Sequence, residues 1–334
     1  MACLYISEQG SVLGVSENRF VLKLSGEELQ SIPVENVEVI QILGNVQIST
    51  QCITRCLLDK IDIIFFSTHG VYHGRLISSH GKNPKRQRKQ SICTNDDTFC
   101  LKICKSIVSA KIHNQTTLIR RYNRKHQLDL SKFYQNMKTA IRLIGQCSSV
   151  NEVIGYEGFA ARLYFKILSR LVNPNFKFEK RSGRRATDPF NSMLNFGYYL
   201  LRNEIYGKIE LKALNPFWGF IHQDHENHAT LASDLMEEWR ATIVDSLVMS
   251  LVNGNEISME DFTTYEGSDN VYLTRDGIKK FVLNYEEKMN TKSKYLDYVD
   301  HSLTFRKAIE LQVGSLAKSI DMNDPNLYHP LKLR

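Results

Sequence analysis

A histidine-rich loop leads directly into an acidic stretch with helical periodicity, and both carry groups that could bind a metal ion. The loop contains His222, His225 and His228. In the stretch after Thr230, Asp234 and Glu237 are three residues apart, and Asp245 falls on the same helical face. Glu238 points about 100° away and is predicted to face solvent. The pattern predicts half of a metal site, which needs a further carboxylate from elsewhere in the chain.

Two kinds of metal site fit these residues. Three histidines would favour zinc, because imidazole is a preferred ligand of Zn, Cu and Ni. One histidine with two or more carboxylates would favour Mg²⁺ or Mn²⁺, the ions that serve phosphoryl transfer. The zinc alternative is weakened because HExxH is absent: His228 follows His225 and Glu226 one residue too early. Solvent-exposed histidines in a polar loop also account well for His225 and His228.

The missing carboxylate could come from the segment IGYEGFAARLYF. Its apolar spacing predicts a helix with Glu157 near the start, beside Gly158. A glutamate in a first helical turn is often only a partner of the helix dipole. Periodicity alone therefore leaves a structural role for Glu157 open.

The predicted secondary structure that positions these groups changes from strands to helices along the chain. Residues 4 to 78 contain short runs of β-branched and aromatic residues with a period of two, separated by turn sequences such as Ser25-Gly26. Within them, STQCITRCLLDK has helical spacing behind Ser49 or Thr50, which predicts one short helix. From about Phe99 onward the period is 3.6.

We therefore predict an α+β fold, in which a small N-terminal antiparallel β domain is followed by a larger all-α C-terminal domain. The predicted bounds are residues 1–80 for the β domain and 93–334 for the helical domain. Residues 81–92, with a run of lysines and arginines around Pro84, are predicted to form a basic linker.

Length, charge and cysteine content narrow the class of protein. A chain of 334 residues with 42% hydrophobic residues can bury two cores. The net charge of +7 fits either a surface for a polyanion or an ordinary solvated surface. Seven cysteines without a repeated CxxC pattern indicate reduced thiols in a cytosolic protein. No signal peptide or membrane span is expected, which predicts a cytoplasmic protein without membrane association.

Five segments resemble, in order and spacing, the family of CRISPR-associated adaptation integrases (CRISPR-associated protein one), DNA endonucleases that insert spacers into CRISPR arrays. The segments are IGYEGFAARLYF, GRRATDPFNSMLNFGYYLL, LNPFWGFIH, LASDLMEEWRATIVD and YLTRDGIKKFVLNYEEKM. The resemblance implies that Glu157, His222 and Glu237 are catalytic residues that hold Mg²⁺ or Mn²⁺, with Asp234 close to the ion. It also implies that the ion activates a DNA 3′-hydroxyl for attack on the repeat phosphodiester, in a prokaryotic cytoplasm.

The resemblance further implies partners. These are double-stranded DNA, as protospacer fragment and CRISPR repeat, a second copy of the chain joined through the β domain, and a small dimeric CRISPR-associated adaptation protein. Basic residues are expected to contact DNA phosphates. Tyr164 could also contact DNA, and a position in the protein core is the alternative for it. The candidates are Lys85, Arg86, Arg88, Arg120, Arg121, Arg124, Tyr164, Arg181, Arg184 and Arg185. A non-catalytic, basic DNA-binding or architectural protein with a structural acidic helix is the alternative function.

Overall fold

Strands dominate the first quarter of the chain and helices the rest, in a computed structural model that describes residues 2–68, 70–78, 81, 83–183, 185–222, 225–226, 228–264 and 267–333. The chain separates into two compact units. One comprises Met1–Gly81, Asp261–Thr263 and Tyr272–Lys280, and the other comprises Lys82–Glu260, Thr264–Val271 and Phe281–Arg334. The predicted α+β class, with strands first and helices after, is confirmed.

The first unit contains two four-stranded sheets and one helix. The strands are β1 (Ala2–Ile6), β2 (Val12–Ser16), β3 (Arg19–Leu24), β4 (Glu27–Pro33), β5 (Val37–Leu43), β6 (Gln47–Ile48), β7 (Asp62–Phe66) and β8 (Tyr72–Leu76). Their order is β1-β5-β7-β8 in one sheet and β4-β3-β2-β6 in the other.

The strand pairing in these sheets is mixed, which corrects the expectation of an antiparallel domain. The pairs β1–β5, β5–β7 and β2–β6 are parallel, whereas β2–β3, β3–β4 and β7–β8 are antiparallel. Parallel neighbours need a crossover connection. Between β5 and β7 this connection includes helix α1 (Thr50–Asp59), so β7 returns in the direction of β5.

Helix α1 begins where the sequence predicted a cap. The Ser49 hydroxyl accepts a hydrogen bond from the Cys52 backbone N–H at 3.2 Å, which satisfies one free donor of the first turn. Cys52 and Cys56 are fully buried and pack with Ile40 and Ile63 in the core of this unit. All seven cysteines of the chain are free and six are buried, as predicted for core thiols.

The remaining elements belong mainly to the helical region. Its helices are α2 (Pro84–Thr94), α3 (Asp97–His126), α4 (Ser131–Gln146), α5 (Val150–Leu168), α6 (Pro189–Leu211), α7 (Thr230–Trp239), α8 (Ser246–Asn253), α9 (Arg275–Asn290) and α10 (Phe305–Met322). Four short strands complete the chain: β9 (Phe262–Thr264), β10 (Val271–Leu273), β11 (Lys292–Ser293) and β12 (Leu303–Thr304). In the part of the chain that the structure describes, none of the helices has the combination of length and apolarity needed to span a bilayer.

Most of the segment predicted as a basic linker is helical. Helix α2 starts at Pro84, with the Asn83 side chain accepting from the Arg86 backbone N–H at 3.1 Å. The Arg86 guanidinium contacts both carboxylate oxygens of Asp321 on α10, the closer at 2.6 Å, and donates to the Lys212 carbonyl at 2.7 Å. Part of the predicted basic linker is therefore a helix that packs against α10.

This arrangement predicts a stabilising role for Arg86. The Arg86 hydrogen bond lowers the pKa of Asp321 below its ordinary value of 3.8. The pair therefore stabilises the fold above that pH, and its contribution is lost as the pH falls through the lowered value. We expect Arg86→Ala to lower the free energy of unfolding by about 1 to 2 kcal/mol at neutral pH, with a smaller difference in acid. Urea unfolding at neutral pH and in acid measures this difference, with Arg88→Ala, at an exposed position, as the control.

Candidate metal centre

The loop before α7 folds around one buried carboxylate, Asp234. Its oxygens accept from the backbone N–H groups of Phe220 at 2.6 Å and Ile221 at 3.0 Å. The Nδ1 atom of His222 lies 2.6 Å from Asp234 Oδ1. An ionised carboxylate only accepts hydrogen bonds, so Nδ1 carries the proton and Nε2 holds the free lone pair. The hydrogen bond to Asp234 raises the pKa of His222.

Close packing holds Gly219 and its neighbours against α7. A Cβ atom on Gly219 would lie 2.6 Å from Asp234 Oδ2 and 3.0 Å from Thr230 Cβ, so a larger residue would displace the carboxylate. The Asp234 side chain is completely buried, while 43% of the His222 side chain remains exposed. A buried carboxylate thus orients an imidazole whose second nitrogen can reach a ligand, the arrangement typical of metal-binding histidines.

Two carboxylates from separate helices meet at one positive charge. Lys111 of α3 contacts Glu157 of α5 through a short ion pair, and its Nζ lies 2.6 Å from Glu237 Oε2 of α7. Lys111 and Glu237 are buried, whereas Glu157 retains about a quarter of its side-chain exposure. Helices α5 and α7 therefore bring Glu157 and Glu237 to the same place, although 80 residues separate them in sequence.

The charges around Glu237 keep it ionised. Burial alone would raise its pKa, but Arg240, whose Nη2 lies 3.1 Å from Oε1, and Lys111 outweigh burial and lower the pKa to about 2. For Lys111, burial opposes the charged form, while Glu237 and Glu157 raise the pKa. The site thus holds two negative and two positive charges in a confined space.

The donor set of this site suits a hard divalent cation. Glu237 Oε2 is buried and, despite its ion pair with Lys111, accepts no aligned hydrogen bond from the described residues. Among the described residues, no three aspartate, glutamate, histidine or cysteine side chains lie close enough together to bind one metal ion in the present side-chain conformations. Lys111 occupies the gap between the two carboxylates, so its ammonium group would have to move for an ion to contact both.

The other histidines of the loop do not complete a zinc site. His228 Nε2 lies 3.1 Å from the Ser233 hydroxyl, and its pKa is lowered, mainly by burial. His225 is exposed, and the Nδ1 atom of His222 is hydrogen-bonded to Asp234. These contacts favour the carboxylate alternative over the three-histidine alternative.

A π-helical stretch, Arg240–Asp245, follows α7 directly. It moves Asp245 away from the predicted shared face, and Asp245 instead accepts from Tyr164 Oη at 2.6 Å and Tyr198 Oη at 2.5 Å. The Arg240 guanidinium lies 4.7 Å from the centre of the Tyr198 ring. Tyr198 and Asp245 therefore support Arg240, which in turn contacts Glu237.

Glu238 is fully buried, contrary to the expectation that it faces solvent. Its carboxylate accepts from Tyr328 Oη at 2.5 Å, from the Leu331 backbone N–H at 2.6 Å and from the Gln312 amide. The segment after α10 thus covers the side of α7 that carries Glu238, about 100° around the helix from Glu237. Helical periodicity within α7 could not reveal a cover supplied by residues some 90 positions later in sequence.

The predicted DNA contacts fall into three groups. Six lie on exposed positions, as a phosphate contact requires: Lys85, Arg88, Arg120, Arg121, Arg124 and Arg185. Arg86 binds Asp321, Arg181 donates to Asn191 and Asn195, and Tyr164 is completely buried. The buried Tyr164 cannot reach a DNA strand in this structure, so its position favours the core alternative. Arg184 lies outside the described residues.

Sequence reasoning missed two cations of the site. Lys111 is one of many cations on α3, but it continues the buried stripe of Cys104, Ile107 and Leu118 at helical spacing. That position indicates a buried lysine, which needs a carboxylate partner. Arg240 follows Glu237 by three residues, a spacing that allows an ion pair on a helix.

Comparison with known proteins identifies the family. The chain belongs to the family described as CRISPR associated protein Cas1, whose model matches residues 4–287. It is 35% identical over 328 residues to the CRISPR-associated endonuclease Cas1 of Mycobacterium tuberculosis, which covers 98% of this chain and 96% of that protein.

Solved structures show the same fold. A CAS1 protein from Thermotoga maritima superposes with a TM-score of 0.81 at 25% identity, covering 96% of this chain and 97% of that one. A casposase bound to integration product gives 0.85 at 23% identity, over 97% and 92% of the two chains. A Cas6-RT-Cas1–Cas2 complex gives 0.84 at 22% identity, over all of this chain and 36% of that one.

Proposed function

We propose that this protein is a metal-dependent DNA integrase and endonuclease that inserts protospacer DNA into a CRISPR array. The proposal rests chiefly on the meeting of Glu157 and Glu237 at one buried positive charge, beside an imidazole oriented by Asp234. Family membership supports the nuclease activity, because relatives are named endonucleases. The fold shared with a casposase bound to integration product is consistent with strand transfer.

Glu157, His222 and Glu237 would hold Mg²⁺ or Mn²⁺. Such an ion would supply charge compensation at the phosphate and lower the pKa of the attacking hydroxyl. Asp234 keeps the proton on Nδ1 of His222 and so presents Nε2. Arg240 holds Glu237 ionised and in place. Lys111, once displaced from the carboxylates, would have a positive charge free to pair with a phosphate oxygen.

The DNA would be bound by its backbone. The exposed cations Arg120, Arg121 and Arg124 lie on the C-terminal half of α3, the helix that also carries Lys111. Phosphate contacts of this kind position a duplex without reading its bases. We further propose a homodimer through the β domain and assembly with a small dimeric partner. A Cas6-RT-Cas1–Cas2 complex that contains the same fold is consistent with the second of these.

An integration assay tests the proposed function. Wild-type protein, supplied with a 3′-hydroxyl DNA fragment and a supercoiled plasmid bearing a repeat, should join the two DNAs only with Mg²⁺ or Mn²⁺. If the DNAs are joined equally well after a chelator has removed the divalent ions, the proposal is contradicted.

Asp234→Asn tests the orientation of the metal ligand. We expect the Mn²⁺ concentration for half-maximal joining to rise about 10 to 100-fold, because asparagine lacks the charge that holds the Nδ1 proton of His222. Mn²⁺ binding followed by paramagnetic resonance should shift in parallel, and thermal melting serves as the folding control. An unchanged Mn²⁺ requirement would remove Asp234 from the site.

A further inference from the structure

The two carboxylates proposed as metal ligands lie on separate helices that both pack against a third. Glu157 belongs to α5 and Glu237 to α7, and each of these helices packs against α3. At the level of the ligands, α5 and α7 are connected through Lys111, which contacts both carboxylates. Lys111 would have to leave when an ion enters, so it cannot set the separation of the carboxylates in the metal-bound protein.

A buried hydrogen bond joins α5 to the continuation of α7 farther along both helices. Tyr164 lies on the same face of α5 as Glu157, seven residues or roughly 10 Å along the axis. Asp245 lies eight residues after Glu237, at the end of the π-helical stretch, which is also about two turns. The Tyr164 Oη atom donates to Asp245 Oδ2 at 2.6 Å. This second connection involves neither of the proposed ligands.

The Asp245 carboxylate is held from two sides. Tyr198 of α6 donates to Oδ1 at 2.5 Å, so each carboxylate oxygen accepts one phenol hydrogen bond. Burial raises the pKa of Tyr164 and of Tyr198 well above 10, so both hydroxyls keep the protons that they donate. Tyr164 and Asp245 are both buried, and water therefore does not compete for the bond between them.

The far ends of the same two helices are joined independently. The helix that begins with α7 continues through the π-helical stretch into α8, whose last residue is Asn253. Asn253 accepts from the Asn173 backbone N–H at 2.8 Å and donates to the Leu171 carbonyl at 3.2 Å, just beyond the end of α5. Loss of the Tyr164 hydroxyl would therefore leave these ends together and free mainly the ends that carry the two carboxylates.

We propose that Tyr164 and Asp245 are positioning residues that set the separation of Glu157 and Glu237, and so determine the size of divalent ion that the site prefers. The inference rests on the proposed function, because it requires the two carboxylates to share an ion. Mg²⁺ demands nearly octahedral ligands at about 2.0 to 2.1 Å, whereas Ca²⁺ accepts a flexible shell at about 2.3 to 2.6 Å. A fixed separation of the carboxylates therefore favours the smaller ion.

Ion binding in the absence of DNA tests this inference without reference to catalysis. Full-length protein is titrated with Mn²⁺, and the free ion is measured by paramagnetic resonance. The affinities for Mg²⁺ and Ca²⁺ follow from the Mn²⁺ that each displaces. Glu237→Gln identifies the part of the binding that belongs to this site, since it removes the charge of one proposed ligand.

Tyr164→Phe removes the hydroxyl and keeps the buried ring. We expect the Kd for Mg²⁺ to rise at least about 10-fold and the Kd for Ca²⁺ to rise less than about 3-fold, because only Mg²⁺ depends strongly on a fixed geometry. Asp245→Asn keeps the volume of the side chain but leaves one of the two phenols without a carboxylate acceptor. It should change the ratio of the two affinities in the same direction.

Tyr122→Phe is the matched control. Its hydroxyl donates from α3 to the Ser246 carbonyl at 3.2 Å, so the variant loses a phenol beside Asp245 but keeps the bond to Tyr164. It should keep the wild-type ratio of Mg²⁺ to Ca²⁺ affinity, and thermal melting checks that every variant is folded.

The possible failures are distinguishable. Wild-type protein that binds no Mn²⁺ with a Kd below about 1 mM would overturn the proposed metal centre and this inference with it. Wild-type binding with an unchanged ratio of affinities in both Tyr164→Phe and Asp245→Asn would overturn the inference alone. An equal change of the ratio in Tyr122→Phe would indicate general loosening of the helices and would also overturn it.

Discussion

His222→Ala and Glu237→Ala are each expected to reduce DNA joining by at least about 1,000-fold, equivalent to roughly 4 kcal/mol of the barrier. Glu237 is the buried carboxylate of the pair, and its pKa of about 2 keeps it ionised at any working pH. His222 offers the imidazole that Asp234 orients. Under the proposed function, loss of either group removes one of the three proposed metal ligands.

Plasmid nicking and fragment joining with Mn²⁺ measure this effect, and two controls accompany it. His228→Ala should retain activity, because His228 contacts Ser233 rather than the carboxylates. Glu260→Ala removes an exposed carboxylate and should also be active. Full, metal-independent activity in both His222→Ala and Glu237→Ala would contradict a metal centre here. Retained DNA binding without any metal effect in wild type would favour the architectural alternative.

Lys111→Met is expected to destabilise the metal-free protein by about 3 to 5 kcal/mol, since Glu157 and Glu237 would then face each other without the shared cation. Arg240 remains beside Glu237 Oε1, but Oε2 loses its only ion-pair partner among the described residues. A divalent ion should restore much of the loss by binding the native state. Mn²⁺ should therefore raise the melting temperature of Lys111→Met more than that of wild type.

Urea unfolding with chelator and with Mn²⁺ gives the two free energies for each protein. Lys102→Met, which removes an exposed lysine from the same helix, should behave as wild type. If Lys111→Met is as stable as wild type without metal, and gains no more from Mn²⁺, Lys111 does not fill the place of the ion.

Local patterns predicted the elements well and their pairing less well. The period-two runs gave strands, and Ser49 marked the start of α1. Parallel pairing of β1 with β5 depends on partners far apart in sequence, which a local period cannot specify. Likewise, the local sequence around Arg86 does not show that Asp321, 235 residues later, binds its guanidinium.

The candidate site was predicted unevenly for the same reason. Periodicity alone left Glu157 with a possible dipole role, and only the family resemblance paired it with His222 and Glu237. Glu238 is predicted to face solvent and Lys111 does not stand out in the sequence, yet Lys111 lies between two carboxylates and Glu238 is covered by the segment around Leu331. Each owes its burial to helices or segments remote in sequence, so an isolated helix could not reveal it.

The π-helical stretch sets the rotational phase between two halves of one helix. Five-residue hydrogen-bond spacing accommodates one residue more than an α turn. If the same six residues wound as an ordinary α-helix, everything beyond them would be turned by about 100° relative to Glu237. Asp245 would then leave Tyr164 and Tyr198. The additional residue that the π-helical stretch accommodates therefore decides which neighbours Asp245 meets.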